Sequence, residues 1–176
     1  MTLASVSATP HVTRDLVDYH FTSIQEIEEA IDAGGFLEHA KVHGNYYGTS
    51  KAAVADVQRD GRICILDIDV QGVQQVQDQH FEVSKYIFIE PPSVEDLEHR
   101  LRKRGTETEK RIRKRVGAAA GEIEASKSLH WDARIVNNTI EEAYAELRAA
   151  TEEERERAAI ARGLTVATEL QGLPRA

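Results

Sequence analysis

The sequence predicts an α/β fold in which a parallel, doubly wound sheet is joined by connecting helices. Three observations carry that class. Short apolar runs at 62–68 and 86–89, and a weaker one at 134–136, have strand length and are rich in β-formers, the pattern of strands buried on both faces. The segments that follow these runs repeat apolar residues at helical spacing, so strands and helices alternate as they do when crossovers join a parallel sheet. A length of 176 residues with 41% hydrophobic and 30% charged residues suits one ordinary domain with a real core.

The elements follow in order. Ser23-Ile24-Gln25-Glu26 is a capping-box pattern, and Ile24, Ile27 and Ile31 continue at helical spacing until Gly34-Gly35, which predicts a helix over 24–33. FLEHAKVHGNYY at 36–47 alternates loosely and predicts one or two short strands beside a turn at Gly44-Asn45. Thr49 or Ser50 caps a helix with Ala53, Val54 and Val57 on one face, closing at Gly61. The run 62–68 is the clearest strand and ends among Asp67 and Asp69, which puts both carboxylates at the sheet edge where open α/β folds take ligands. Val70, Val73 and Val76 mark the next helix. Strand 86–89 stops at Pro91-Pro92, and Ser93 opens a helix carrying Val94, Leu97 and Leu101. Beyond Gly105-Thr106 a long helix carries Ile112, Val116, Ala119 and Ile123; strand 134–136 follows, then a helix with Ile140, Ala143, Tyr144 and Leu147. From Thr151, TEEERERAAIARG reads as a charged helical extension or a frayed tail, and 163–176 as mostly irregular.

Composition narrows the function classes. No apolar run approaches the roughly 20 residues of a membrane helix, and the first ten residues lack the basic start and apolar core of an export signal, so a cytoplasmic protein is expected. A single cysteine, Cys64, excludes an internal disulfide and a cysteine-rich zinc site, and its apolar neighbours suit a small buried hydrophobe. The net charge of −8 is unevenly spread. Residues 100–115 hold nine lysines and arginines against Glu107 and Glu109, a local +7, leaving −15 for the rest. Such a local field is a candidate site for phosphates, and a solvated helix face is its plainer reading. Tyr46, Tyr47 and Glu38 likewise read, by themselves, as packed rings and a solvent-facing strand acid.

Five ordered blocks change that balance. VDYHF (17–21), FLEHAKVHGNYYGTS (36–50), ILDIDVQG (65–72), FIEPPSVEDLEHRLRKRGTETE (88–109) and IVNN (135–138) resemble the guanylate kinase family over about residues 5–147, in its eukaryotic cytosolic type. The resemblance implies a guanylate-kinase-like domain over 1–150, with a β-rich GMP-binding segment at about 5–60 and a helical lid at about 100–116, followed by an extension at 151–176. It implies transfer of the γ-phosphoryl of Mg-ATP to GMP by a cytoplasmic monomer, with no nucleic-acid or membrane partner. Carried over by residue, Ser7, Tyr19 and Tyr47, with Thr49 on the nucleotide phosphate, contribute to the GMP site. Glu38 and Asp69 receive the guanine edge, whose N1–H and 2-amino group are parallel donors that a carboxylate accepts. Asp67 faces the metal and phosphates, Asn137 lies near the adenine, and Arg104 and Arg115 clamp the migrating phosphoryl group.

Two departures from the family pattern enter as expectations. No glycine in these 176 residues is followed by lysine, so they contain no G-x-x-x-x-G-K-[ST] loop. The first core strand and its P-loop are expected to be missing, with a truncated chain that binds GMP weakly and transfers phosphate poorly. Where the family carries two arginines before the DY pair, Arg14 takes one place. The alternatives are a kinase-dead binding module that holds a phosphopeptide or nucleotide in the former GMP pocket, and an inactive remnant.

Overall fold

The structure is a computed structural model and describes residues 6–7, 20–42, 45–105 and 107–163. Its elements run β1 Val6–Ser7, β2 His20–Phe21, α1 Ile24–Asp32, β3 Phe36–Val42, β4 Asn45–Ser50, α2 Lys51–Arg59, α3 Val70–Asp78, β5 Ile87–Glu90, α4 Val94–Arg104, α5 Glu109–Ser126, β6 Ala133–Val136, α6 Ile140–Ala150 and α7 Glu152–Ala161. The class is α/β. The helix starts follow from their caps: the side chains of Ser23, Ser50, Asp69, Ser93, Thr108 and Thr139 each accept a backbone N–H in the first turn, a contact worth about 1 kcal/mol apiece. Gly105 ends α4 at φ 66°, a left-handed conformation that glycine takes without penalty.

The chain divides into two compact units, Met1–Glu82 with Glu153–Ala176, and Val83–Glu152. The first holds a four-stranded mixed sheet in the order β2-β1-β4-β3. Here β1 runs parallel to β2 and antiparallel to β4, and β3 pairs antiparallel with β4 through a register shift between Phe36 and Glu38. Ile27, Leu37, Val54 and Val76, none more than 3% exposed, form its core; burying each contributes about 1.5–3 kcal/mol. α7 is a formed helix rather than a frayed tail, and its end lies beside Gly61, where a Cβ would stand 3.2 Å from Arg162 and 3.4 Å from Ala161.

The second unit pairs β5 with β6 in parallel, Ile89 opposite Ile135. Leu101, Ile112 and Ile135 are buried. Arg134 spans the two strands, bonding Glu90 at 3.0 Å and lying 4.5 Å over the Phe88 ring.

One expected strand is corrected. Residues 62–68 form no strand, and their apolar side chains are not buried on both faces. Exposure alternates along the segment, as in an extended chain, but Ile63 and Ile65 stand 42% and 53% exposed. A run of this composition is buried on both faces only as a paired central strand, and among the described residues no strand pairs with it; Cys64, Leu66 and Ile68 are partly covered on one side. Asp67 and Asp69 therefore do not sit at the carboxyl edge of a sheet; Asp69 instead caps α3. The two-residue strands β1 and β2 were outside the sequence expectation. Parallel pairing among the described strands occurs at β5–β6 and in the two-residue pair β1–β2.

Candidate active site

In the first unit the chemistry gathers around Glu38. β3 and β4 are in register there, Glu38 opposite Thr49, and the Thr49 hydroxyl donates to Glu38 Oε1 at 2.6 Å. Thr49 is only 4% exposed, so this bond is sheltered from water and fixes one carboxylate oxygen. The other oxygen, Oε2, lies 3.5 Å from the position a Cβ on Gly72 would occupy. The Gly72 N–H in turn donates to Asp69 Oδ1 at 2.8 Å. Both carboxylates thus meet at Gly72, at the N-terminal turn of α3, where exposed N–H groups and the helix dipole favour negative charge. A second glycine holds the other side: at Gly48 a Cβ would stand 2.6 Å from the Glu38 carbonyl oxygen and 2.9 Å from the Phe36 ring. Glycine there allows β4 to approach the bulged part of β3.

The remaining predicted residues fall as follows. Ser7 is in register with Tyr47 across β1 and β4, which brings two of the expected GMP-site residues to adjacent backbone positions. Thr49, expected on the nucleotide phosphate, spends its hydroxyl proton on Glu38 in this structure. Arg14 and Tyr19 lie outside the described residues. Asp67 is exposed. Tyr46 is structural: its hydroxyl donates to Glu28 at 3.0 Å and accepts from Lys41 at 3.1 Å, tying α1 to β3 and β4, and the Lys41 ammonium pKa is raised chiefly by that Tyr46 hydroxyl bond. Cys64 is half-buried, and burial pushes its thiol pKa up, away from the thiolate that reactivity requires.

In the second unit Arg104 ends α4 and is exposed, its guanidinium making no hydrogen bond or ion pair with the described residues. Arg115, on α5, pairs with Glu107. The basic segment is less free than its charge suggests. Arg102 bonds both Glu98 and Glu109, which raise its guanidinium pKa further, and Arg100 donates to the carbonyls of Asn137 and Asn138 at 2.8 Å each. Asn137 is held on its other side by its own N–H, which bonds the Glu90 carbonyl at 2.7 Å. No group of three or more His, Cys, Asp or Glu placed to hold a metal occurs among the described residues. No described helix is long and apolar enough to cross a membrane.

Sequence reasoning missed the two glycines and the glutamines of α3 and its C-cap. Gln71, Gln75 and Gln79 recur every four residues, a stripe on one side of the helix that could have been noticed.

The comparisons with known proteins decide the family. The guanylate kinase family profile matches residues 3–154. Among the relatives, human guanylate kinase is 46% identical over 138 residues, 78% of this chain and 70% of that protein. Guanylate kinase of Nitratidesulfovibrio vulgaris is also 46% identical, over 154 residues covering 85% and 73%. The chain belongs to the guanylate kinase family. Guanylate kinase 1 of Oryza sativa subsp. japonica is 49% identical over 149 residues, 82% of this chain, which spans 39% of that relative's length. A crystal structure of guanylate kinase from Anaplasma phagocytophilum superposes with a TM-score of 0.63 at 30% identity, covering 86% of this chain and 74% of that one. The human and bacterial identities are equal, so they do not favour the eukaryotic type. These relatives are named as kinases, and none of them supports the binding-module alternative.

Proposed function

We propose that this chain binds GMP and acts in ATP-dependent phosphorylation of GMP to GDP, with Glu38 and Asp69 reading the guanine. The observation that carries the reading is the sheltered carboxylate of Glu38, fixed by Thr49 and brought to the same glycine as Asp69. A carboxylate held in this way accepts the N1–H and 2-amino donors of guanine; adenine offers no such pair. Thr49 then serves the base-reading carboxylate, while Ser7, Tyr19, Tyr47 and Arg14 are assigned to the GMP phosphate.

Mg-ATP, when bound, supplies a phosphoryl group to an oxygen of the GMP phosphate, and ADP leaves. Arg104 and Arg115 are assigned to the charge that spreads over the migrating group. Arg115 must exchange its pairing with Glu107 for that role, whereas the Arg104 guanidinium has no partner to exchange among the described residues. Asn137, pinned through its main chain, is assigned to the adenine. A nucleotide-bound Mg²⁺ takes only one or two carboxylates beside phosphates and water, and Asp67, an exposed acid, is assigned to it. The site of action is read as the cytoplasm and the working form as a monomer, which light scattering at assay concentration checks.

Glu38→Gln is the direct test. Losing a charge-assisted acceptor should weaken GMP binding about 10- to 100-fold and leave AMP binding unchanged in a calorimetric titration. Equal losses for both nucleotides would refute the assignment.

A further inference from the structure

The long polar side chains of α3 have a use beyond solvation. Among the described residues β3 is an edge strand, with β4 on one side and no strand on the other. At His39 that open edge is met by a single amide: the His39 N–H donates to Gln75 Oε1 at 3.0 Å, and Gln75 Nε2 donates to the His39 carbonyl at 3.0 Å. In a strand the N–H and C=O of one residue point to the same side. A primary amide, which carries an acceptor and a donor together, matches both. One turn further along α3, Gln79 Nε2 donates to the Leu37 carbonyl at 2.7 Å. The helix therefore grips the strand at Leu37 and at His39, the two residues that flank Glu38.

The same helix carries Asp69 as its cap. One rigid element thus bears one carboxylate at its N-terminus and, along its body, the grip on the strand that bears the other. Resting on the reading of Glu38 and Asp69 given above, we propose that Gln75, assisted by Gln79, is a positioning residue that sets the spacing of the two base-reading carboxylates and thereby the discrimination among purine nucleotides. Edge protection alone would explain a polar residue here, but it does not require the bonds to bracket Glu38 from the helix that Asp69 caps. The precision matters because a donor pair is read by acceptors at fixed separation. IMP, which keeps N1–H and lacks the 2-amino group, reports that separation directly.

The test measures dissociation constants of the full 176-residue chain for GMP, IMP and AMP. Gln75→Leu should reduce the preference for GMP over IMP about tenfold and leave AMP affinity within about twofold, while Gln74→Leu, an exposed amide of the same helix bonded to Asp78, leaves the preference intact. Gln79→Leu, which removes one bond at the helix end, should give a smaller loss in the same direction and keeps the test available if Gln75→Leu does not fold. A folded Gln75→Leu that keeps the wild-type preference, or that loses all three nucleotides equally, overturns the positioning role. A wild-type chain without preference for GMP, or one whose preference survives Glu38→Gln, overturns the reading of Glu38 instead, and the inference falls with it.

Discussion

Glu38 and Arg104 carry opposite charge in opposite surroundings. Glu38 is half-buried, with one oxygen on a buried hydroxyl and the other against a glycine of α3. Arg104 stands exposed at the end of α4, its side chain bonded to none of the described residues. The contrast matches the two tasks proposed for them. Recognising a base needs acceptors fixed to a fraction of an ångström, so the strand, the glycines and the glutamines all serve that precision. Stabilising a transferring phosphoryl group needs positive charge delivered where negative charge develops, and a long side chain with no partner among the described residues has none of their ion pairs to break first.

If that division is right, the largest effect of any single change should fall on rate and come from the exposed residue. Arg104→Ala should slow GMP-dependent ATP turnover about 10²- to 10³-fold, with GMP affinity in the same preparation changed by less than about threefold. A loss shared equally between turnover and GMP affinity would erase the distinction between the two regions. Arg115→Ala should cost less, because part of the charge it offers is spent on Glu107.

The next largest effect separates the regions by stability. Alanine at position 48 would place a methyl 2.6 Å from the Glu38 carbonyl, a contact that only backbone movement relieves, and should lower stability by about 1–3 kcal/mol. Gly117, in the interior of α5, has nothing within 4 Å of its would-be Cβ, so Gly117→Ala should raise stability by about 0.5–1 kcal/mol through helix propensity. Urea unfolding of the two variants, read against wild type, checks both signs at once. Two destabilised variants would mean that α5 needs its glycine for a reason the packing does not contain.

How much of this the sequence disclosed follows the same division. Helix starts were readable because a cap is local: Ser23 with Glu26, or Ser93 before a helical run, states its own geometry. The strand pattern points to Asp69 through a sheet edge that the described structure lacks, the roles of Glu38, Asp69 and Arg104 come from the resemblance, and the bonds that give Glu38 its precision are not legible in the sequence at all. Gln75 looked like any polar residue on a helix, because its partner is a backbone edge 36 residues away. Thr49 was expected on a phosphate for the same reason, its nearest acceptor being visible only once β3 and β4 are in register. The run 62–68 failed in the other direction. Its composition described a central strand, yet a central strand is a property of its neighbours, and among the described residues those neighbours are not there. Two-residue strands such as β1 and β2 have no periodicity to detect.

The smallest expected effect concerns a third carboxylate, which tests whether fixing an acid in this unit requires shelter. Glu26 is exposed, yet the Thr22 hydroxyl, then the Ser23 backbone N–H and the Ser23 hydroxyl, hold its pKa down at about 2. In the unfolded chain it returns to about 4.3. A depressed acid contributes stability that is fully present above the unfolded value and is lost as pH falls through the folded one, so the contribution of Glu26 should fade between about pH 4.3 and 2. Glu26→Gln keeps the reach of the side chain and removes the titration. Its urea midpoint should sit slightly below wild type at pH 6 and converge on it by pH 2, with amide exchange at Ser23 reporting the same opening of the first turn of α1. Parallel curves across that window would mean that water competes away the capping bonds of an exposed carboxylate, and that the burial of Thr49 is what makes the corresponding bond to Glu38 count.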